Sequence, residues 1–177
     1  FSVAQMLSQK RHLVIPQLEG KVKAILTDLG MPNVVFKVKT TTINDITAKG
    51  IDNLLFLFSA NKGELPQELY KVASGGEMSR LMLALKSIIA ESSKLPTLIF
   101  DEIDTGISGE VAKKMAVIFK NMGLSIQLIA ISHLPQVAAK ANKHIIVEKS
   151  ETEKHSITSM KYVKNTSRIE AIAKMLS

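Results

Sequence analysis

Apolar positions along the chain change their period several times, and each change marks an element. Between residues 3 and 29, Val3, Leu7, Val14, Leu18, Val22, Ile25 and Leu29 recur at steps of three, four or seven, which predicts an amphipathic helix. Lys10 interrupts that seam, Pro16 is expected to kink or divide the helix, and Gly30 followed by Met31-Pro32 is a stop signal. The near-heptad spacing suits a coiled-coil arm, and the periodicity fits a plain core helix equally well. Two strands follow, over 34–42 and 53–60, and then a loop, "ANKGELPQE". A helix is predicted over 77–92, with Met78, Leu81, Leu85, Ile88 and Ile89 on one side. The stretch "TLIF" (97–100) is short and wholly apolar, as expected of a strand in the middle of a parallel sheet. Beyond it come a helix over 110–122 stopped by Gly123, a second buried strand over 126–132, a short helix opened by Pro135, and a closing hairpin from "HIIVEK" and "SITSMKYV". A final helix is expected to start at Ser167, because Ser167-x-x-Glu170 has capping-box spacing. Strand and helix alternate through the middle of the chain, so the class is α/β. No internal repeat or low-complexity segment interrupts this reading.

Composition narrows the possibilities without naming a function. The chain has 177 residues, 46% of them hydrophobic, which suits one globular domain with a substantial core and argues against disorder. No apolar run approaches the ~20 residues of a membrane helix, and "FSVAQMLSQKRH" lacks the apolar core of a signal peptide. It also lacks an initiator Met, so a piece of a longer protein is expected. Cysteine is absent, which removes disulfides and thiolate metal sites and suits the cytosol. The net charge of +7 would draw the chain to phosphate polyanions, but the lysines are scattered and not interleaved with aromatics. An ordinary basic protein and a direct nucleic-acid binder remain equal on this ground.

Three short stretches carry candidate chemistry. In "SGGE", Ser74-x-x-Glu77 is itself a capping box, which explains the Ser and the Glu. It leaves Gly75 and Gly76 unexplained, since glycine costs about 0.5–1 kcal/mol relative to Ala inside a helix. Free N–H groups at a helix start with no side chains in the way make an anion site, so a cap and a phosphate site stand at even odds. In "TLIFDE", a buried strand delivers Asp101 and Glu102 at its C-terminal end, where α/β sheets place ligands. Neighbouring strand residues point to opposite sides, so the two carboxylates are expected to have separate jobs: one to hold Mg²⁺, the other to orient or deprotonate a water. The plainer alternative is an acidic pair marking a strand end. His133, in "IAISHLPQ", would emerge on the same edge if the two apolar strands are neighbours. His12, His144 and His155 share no such setting.

The order of these parts is more specific than any one of them, and it matches the second half of an ABC-type ATPase. "SGGE" resembles the signature motif, "TLIFDE" the Walker B strand, "DTGIS" the D-loop and "SHLPQ" the switch histidine. Closer still, "KVASGGEMSRLMLALKS", "LPTLIFDEIDTGISGEVA", "ISHLPQVAAKA" and "SRIEAIAKML" resemble the RecN family of SMC-like bacterial DNA repair ATPases, over most of the chain from Met31 onward.

That resemblance implies a head built from both ends of a long chain joined by an antiparallel coiled coil, with the P-loop on the front end. No G-x-x-x-x-G-K-[ST] occurs here. The resemblance therefore implies a C-terminal lobe (31–177) with a P-loop NTPase-like sheet and flanking helices, preceded by a returning coiled-coil stub (1–30). By position, Ser74, Gly75, Gly76 and Glu77 would face ATP on a partner head. Asp101 would organise Mg²⁺, Glu102 would activate the attacking water and His133 would sense the γ-phosphate. Asp104, Thr105, Gly106 and Ser108 would pack along the dimer seam. The implied cofactors are ATP and Mg²⁺. The implied partners are the P-loop lobe, a second head and DNA (single-stranded ends or duplex), with no membrane, in the bacterial cytoplasm at the nucleoid.

Two positions depart from the generic ABC pattern. Glu77 replaces the usual Gln, which argues against direct phosphate contact there and favours a cap; "DTGIS" replaces the usual Ser-Ala-Leu pattern. Both variants suit a RecN-like protein better than a transporter. Without a P-loop the chain by itself is expected to be inactive, and its sheet to expose apolar surface and self-associate. The competing readings are a non-hydrolysing fragment that binds DNA or a partner, and the head of another SMC-like protein.

Overall fold

The computed structural model describes residues 1–71, 75–92, 95–151 and 155–176. It is mixed α/β and divides into two compact units, residues 1–93 and 94–177. Among the described residues no helix is long and apolar enough to cross a membrane.

The first unit is built on an antiparallel hairpin, β1 (Val35–Thr47) and β2 (Gly50–Ser59), to which β3 (Gln67–Glu68) adds a short third strand. Helices α1 (Ser2–Asp28) and α2 (Gly75–Ser92) pack with it. The core joins Val22 and Leu26 of α1, Met31 and Val34, Phe36 and Phe58 of the hairpin, and Leu81 and Ala84 of α2, all buried. Phe36 also stacks on Phe56 with ring centroids 5.9 Å apart.

α1 runs unbroken through Pro16, so the expected division does not occur. Tertiary contacts hold the helix on both sides of the proline. Before it, the Ser8 hydroxyl donates to Asp52 Oδ1 at 2.7 Å, and Arg11 pairs with Asp52 Oδ2 at 3.0 Å while donating to the Lys49 carbonyl at 2.8 Å. Beyond it, Glu19 accepts from Lys37 at 2.7 Å and from the Val38 N–H at 2.9 Å. The two halves of α1 differ: Val22 and Leu26 are core, whereas Val3, Met6, Leu13 and Val14 are exposed. Gly50, at the hairpin turn, has φ +95°, and a Cβ there would meet Leu7 and Arg11 at 3.2 and 3.3 Å. Both the turn and the close approach of α1 require glycine.

The second unit holds a parallel pair, β4 (Thr97–Asp101) and β5 (Gln127–Ile131), connected through α3 (Gly109–Met122). α3 buries Ala112, Met115, Ala116, Phe119 and Met122, and Phe119 stacks on Phe100 of β4 with ring centroids 5.1 Å apart. The other face of the pair carries Ile99, Ile129 and Ile131, which are 56%, 44% and 53% exposed. A strand buried on both faces was expected here, and one face is bare. α4 (Pro135–Lys140) packs on α3 and α5 (Asn165–Lys174), and β6 (His144–Glu151) pairs with β7 (Ser156–Val163) as the expected hairpin. α5 starts two residues before Ser167. That residue is third in the helix and reaches back to Lys164, donating to its carbonyl at 2.7 Å and accepting its N–H at 3.3 Å.

Candidate functional site

β4 and β5 run parallel in a register that sets Asp101 beside Ile131. Both strands therefore end on the same edge of the sheet. The loop after β4 starts with Glu102, and the loop after β5 carries Ser132 and His133. The sequence placed the carboxylates and the histidine together on this edge, and the register brings them there.

Two details differ from expectation. Asp101 and Glu102 are both exposed, not a buried pair. The strand's alternation also ends at Asp101, because Glu102 adopts a left-handed backbone with φ +48°. That conformation is uncommon for a residue with a side chain and persists only where the surroundings hold it. Here the Glu102 N–H donates to the Ile131 carbonyl at 3.2 Å, continuing the ladder by one bond. The Glu102 carbonyl in turn accepts the Thr105 hydroxyl at 3.0 Å and the Thr105 N–H at 3.4 Å. A tight turn thus follows β4, and the Glu102 carboxylate leaves it into solvent.

The segment expected to line a dimer seam splits in two. Thr105, Gly106 and Ser108 are exposed. Asp104 is not: it is 0% exposed, flanked by buried Ile103 and Ile107, and it offers no seam surface in this chain. Its Oδ2 accepts the Ser132 hydroxyl and the His133 N–H (3.1 Å) and lies 3.4 Å from His133 Nδ1. Ser132 Oγ also accepts the Leu134 N–H at 3.0 Å. The His133 ring itself is 70% exposed. Sequence reasoning grouped Asp104 with its exposed neighbours and left Ser132 without a role. The available signal was a carboxylate set between two isoleucines.

Ser74 lies outside the described residues. Gly75, Gly76 and Glu77 form the first turn of α2. Gly75 is exposed, and among the described residues a Cβ there would meet nothing within 4 Å. Packing among the described residues does not demand glycine at that position.

Comparison with known proteins gives these parts a context. No family model matches the chain. It is 41% identical over 177 residues to the DNA repair protein RecN of Rickettsia conorii, covering 100% of this chain and 32% of that protein. It is 40% identical to RecN of Treponema pallidum (97% and 31% covered) and 35% identical to RecN of Haemophilus influenzae (99% and 32%). The chain thus spans about a third of the curated relatives it matches.

Solved structures give the fold. The Smc head domain of Pyrococcus yayanosii, with a coiled coil and joint, matches at a TM-score of 0.68 and 18% identity, covering 95% of this chain and 30% of that one. A structure from work on ATP-driven dimerization and DNA-stimulated activation of SMC ATPases matches at 0.60 and 17% identity, covering 97% of this chain and 98% of that one. The chain is thus similar along its whole length to RecN proteins and shares a backbone fold with SMC head domains.

Proposed function

We propose that this chain is the C-terminal lobe of a RecN-like ATPase head, with residues 1–30 the stub of a returning coiled-coil helix and 31–177 the lobe. In this reading the full-length protein binds and hydrolyses ATP between two heads, in the repair of DNA double-strand breaks. The observation that carries it is the parallel register of β4 and β5, which puts Asp101, Glu102 and His133 on one sheet edge. Open α/β sheets hold their ligands at that edge.

The residues then divide the work. Glu102, whose carboxylate is exposed, orients the attacking water and takes its proton. His133 contacts the terminal phosphate with its exposed ring. Asp101 would help hold Mg²⁺. Among the described residues no group of three or more His, Cys, Asp or Glu side chains could enclose a metal. A single exposed carboxylate such as Asp101 suits Mg²⁺, which takes one or two carboxylates and completes its shell with phosphate oxygens and waters. When bound, the ion would neutralise phosphate charge. Ser74, Gly75, Gly76 and Glu77 would face the nucleotide on the partner head; the open space at Gly75 supports an approach from outside the chain. Thr105, Gly106 and Ser108 would line the seam between heads.

The bare face of Ile99, Ile129 and Ile131 supports a missing cover, which this reading assigns to the P-loop lobe of the same protein. The chain by itself is then inactive, and DNA, as single-stranded ends or duplex, is a partner of the complete protein at the bacterial nucleoid. The test is ATP turnover and ATP-dependent dimerisation of the full-length protein beside Glu102→Gln. Turnover is expected to fall by roughly 10²–10⁴-fold, the range of a lost general base, while the variant accumulates as an ATP-bound dimer. A wild type that neither hydrolyses ATP nor dimerises with it would sink the reading.

A further inference from the structure

Asp104 is an odd residue to bury. A carboxylate removed from water is costly unless its oxygens are satisfied. Only one of them is: Oδ2 takes the Ser132 hydroxyl, the His133 N–H at 3.1 Å and an approach from His133 Nδ1 at 3.4 Å. Oδ1 is buried and, among the described residues, accepts no hydrogen bond. All the interactions of this carboxylate therefore serve one dipeptide, and that dipeptide ends in the histidine of the sheet edge.

The aspartate also sits on a firm base. Ile103 and Ile107 are buried on either side of it, and the Ile107 N–H donates to the Asp104 carbonyl at 3.0 Å. The loop after β4 is thus pinned, and the loop after β5 is held to it through Oδ2. Ser132 passes the hold one residue further, to the Leu134 N–H, where α4 begins. By contrast the His133 ring is mostly in solvent, and the one polar side chain within reach of its Nδ1 among the described residues is Asp104.

We propose that Asp104 is a positioning residue for His133: it fixes the backbone of Ser132-His133 and turns the ring so that Nε2 presents to the ligand. This rests on the ATPase reading above and deepens it, because it moves Asp104 from the head–head seam to the inside of one lobe. A purely structural aspartate would lower stability without acting through His133.

A double-mutant cycle in the full-length protein separates the two. ATP turnover is measured for wild type, Asp104→Ala, His133→Ala and the double variant. Asp104→Ala is expected to lower kcat by about tenfold while KM for ATP stays within about twofold, the pattern of an interaction made in the transition state. The double variant is expected to be no slower than His133→Ala, since residues acting as one unit are not additive. Multiplying losses, or an unchanged kcat in Asp104→Ala, would overturn the proposal while leaving the ATPase reading intact. A wild type without turnover would overturn the proposal, and the ATPase reading with it if ATP-dependent dimerisation is also absent; His133→Ala at wild-type rate would overturn the proposal alone. Should Asp104→Ala fail to fold, Asp104→Asn takes its place. It keeps one acceptor oxygen and loses the charge, and the same non-additivity with His133→Ala is required of it.

Discussion

The β1–β2 hairpin and the β4–β5 pair are both apolar sheets, yet they end in opposite conditions. The hairpin is covered where α1 and α2 meet it: Phe36 and Phe58 are 3% and 2% exposed there, while Phe56 and Ile46 farther along are 37% and 54% exposed. The parallel pair is sealed on one face only, where Phe100 stacks on Phe119. Its other face leaves three isoleucines about half in water. An apolar run therefore reports that a strand needs cover, not that the same stretch of chain supplies it. The hairpin strands alternate and need one covered face, and helices on both sides of them in sequence provide it. The parallel strands carry apolar residues on both faces and need two covered faces, but among the described residues of the second unit only α3 packs on them, through Phe119.

The largest effects should fall on the sealed side. Phe58→Ala is expected to cost about 3–5 kcal/mol, the range for truncating a fully buried phenylalanine, read as a drop in the urea midpoint. Ile129→Ala, on the bare face, should change stability by about 0.5 kcal/mol or less in the 177-residue chain, as surface substitutions do. In the full-length protein the same substitution should cost about 2–5 kcal/mol if the missing lobe covers that face. An equally small effect in both would break the comparison, because the face would then be bare in the complete protein too.

Much of this was legible in the sequence, and the exceptions share a cause. The helices and strands were found because their apolar positions repeat at 3.6 or 2, or run together. β1 was read short because Asn44 and Asp45 break the alternation, while the observed strand continues to Thr47 across a register shift after Thr42. Pro16 was expected to kink or divide α1; the helix is not divided, and contacts from Ser8, Arg11 and Glu19 hold it on both sides of the proline. The sheet edge was legible because Asp101-Glu102 and Ser132-His133 each follow an apolar strand. Asp104 was grouped with its exposed neighbours because a polar residue in a loop reads as exposed. Only the partners that bury it could reveal otherwise, and Ser132 and His133 lie 28 and 29 positions away.

A middle-sized effect should separate packing from polar anchoring within the second unit. The Arg168 guanidinium of α5 donates to the carbonyls of Ala138, Ala139 and Ala141 at the end of α4, at 3.0, 3.2 and 2.6 Å. α4 is only six residues long and follows the His133 loop directly. The Ala138 carbonyl also takes the Ala141 N–H at 3.4 Å, and one planar cation serves this and the following carbonyls at the helix end. Arg168→Ala should cost about 1–3 kcal/mol by leaving acceptors unsatisfied, and Arg168→Lys should recover only part of it. Thermal denaturation checks both. A full rescue by lysine would mean that charge near the helix end, and not the reach of the guanidinium, is what matters.

The smallest effect is a difference in how the two units respond to acid. In the first unit the Ser8 hydroxyl holds the Asp52 carboxyl below its ordinary value; burial pulls it the other way, and the Arg11 guanidinium adds to the lowering. Burial pushes Glu19 up, but the Lys37 ammonium and the Val38 N–H together leave it lowered. A lowered carboxyl stabilises the fold above its unfolded value, and that stabilisation is lost as the pH falls through the folded one. The contacts between α1 and the hairpin should therefore weaken only as the pH drops below about 4.5 for Glu19 and 3.8 for Asp52. In the second unit, burial and then the nearby Arg168 cation lower His144, whose Nδ1 is buried without a partner. An unfolded chain takes up that proton first, so stability falls as the pH drops below about 6.5 and levels off beneath the folded value. Amide exchange followed from pH 7 to pH 3 should show β6 losing protection first and α1 later. Simultaneous loss in both would mean that the two units open as one, and the contrast between a sealed unit and an open one would hold only for their surfaces.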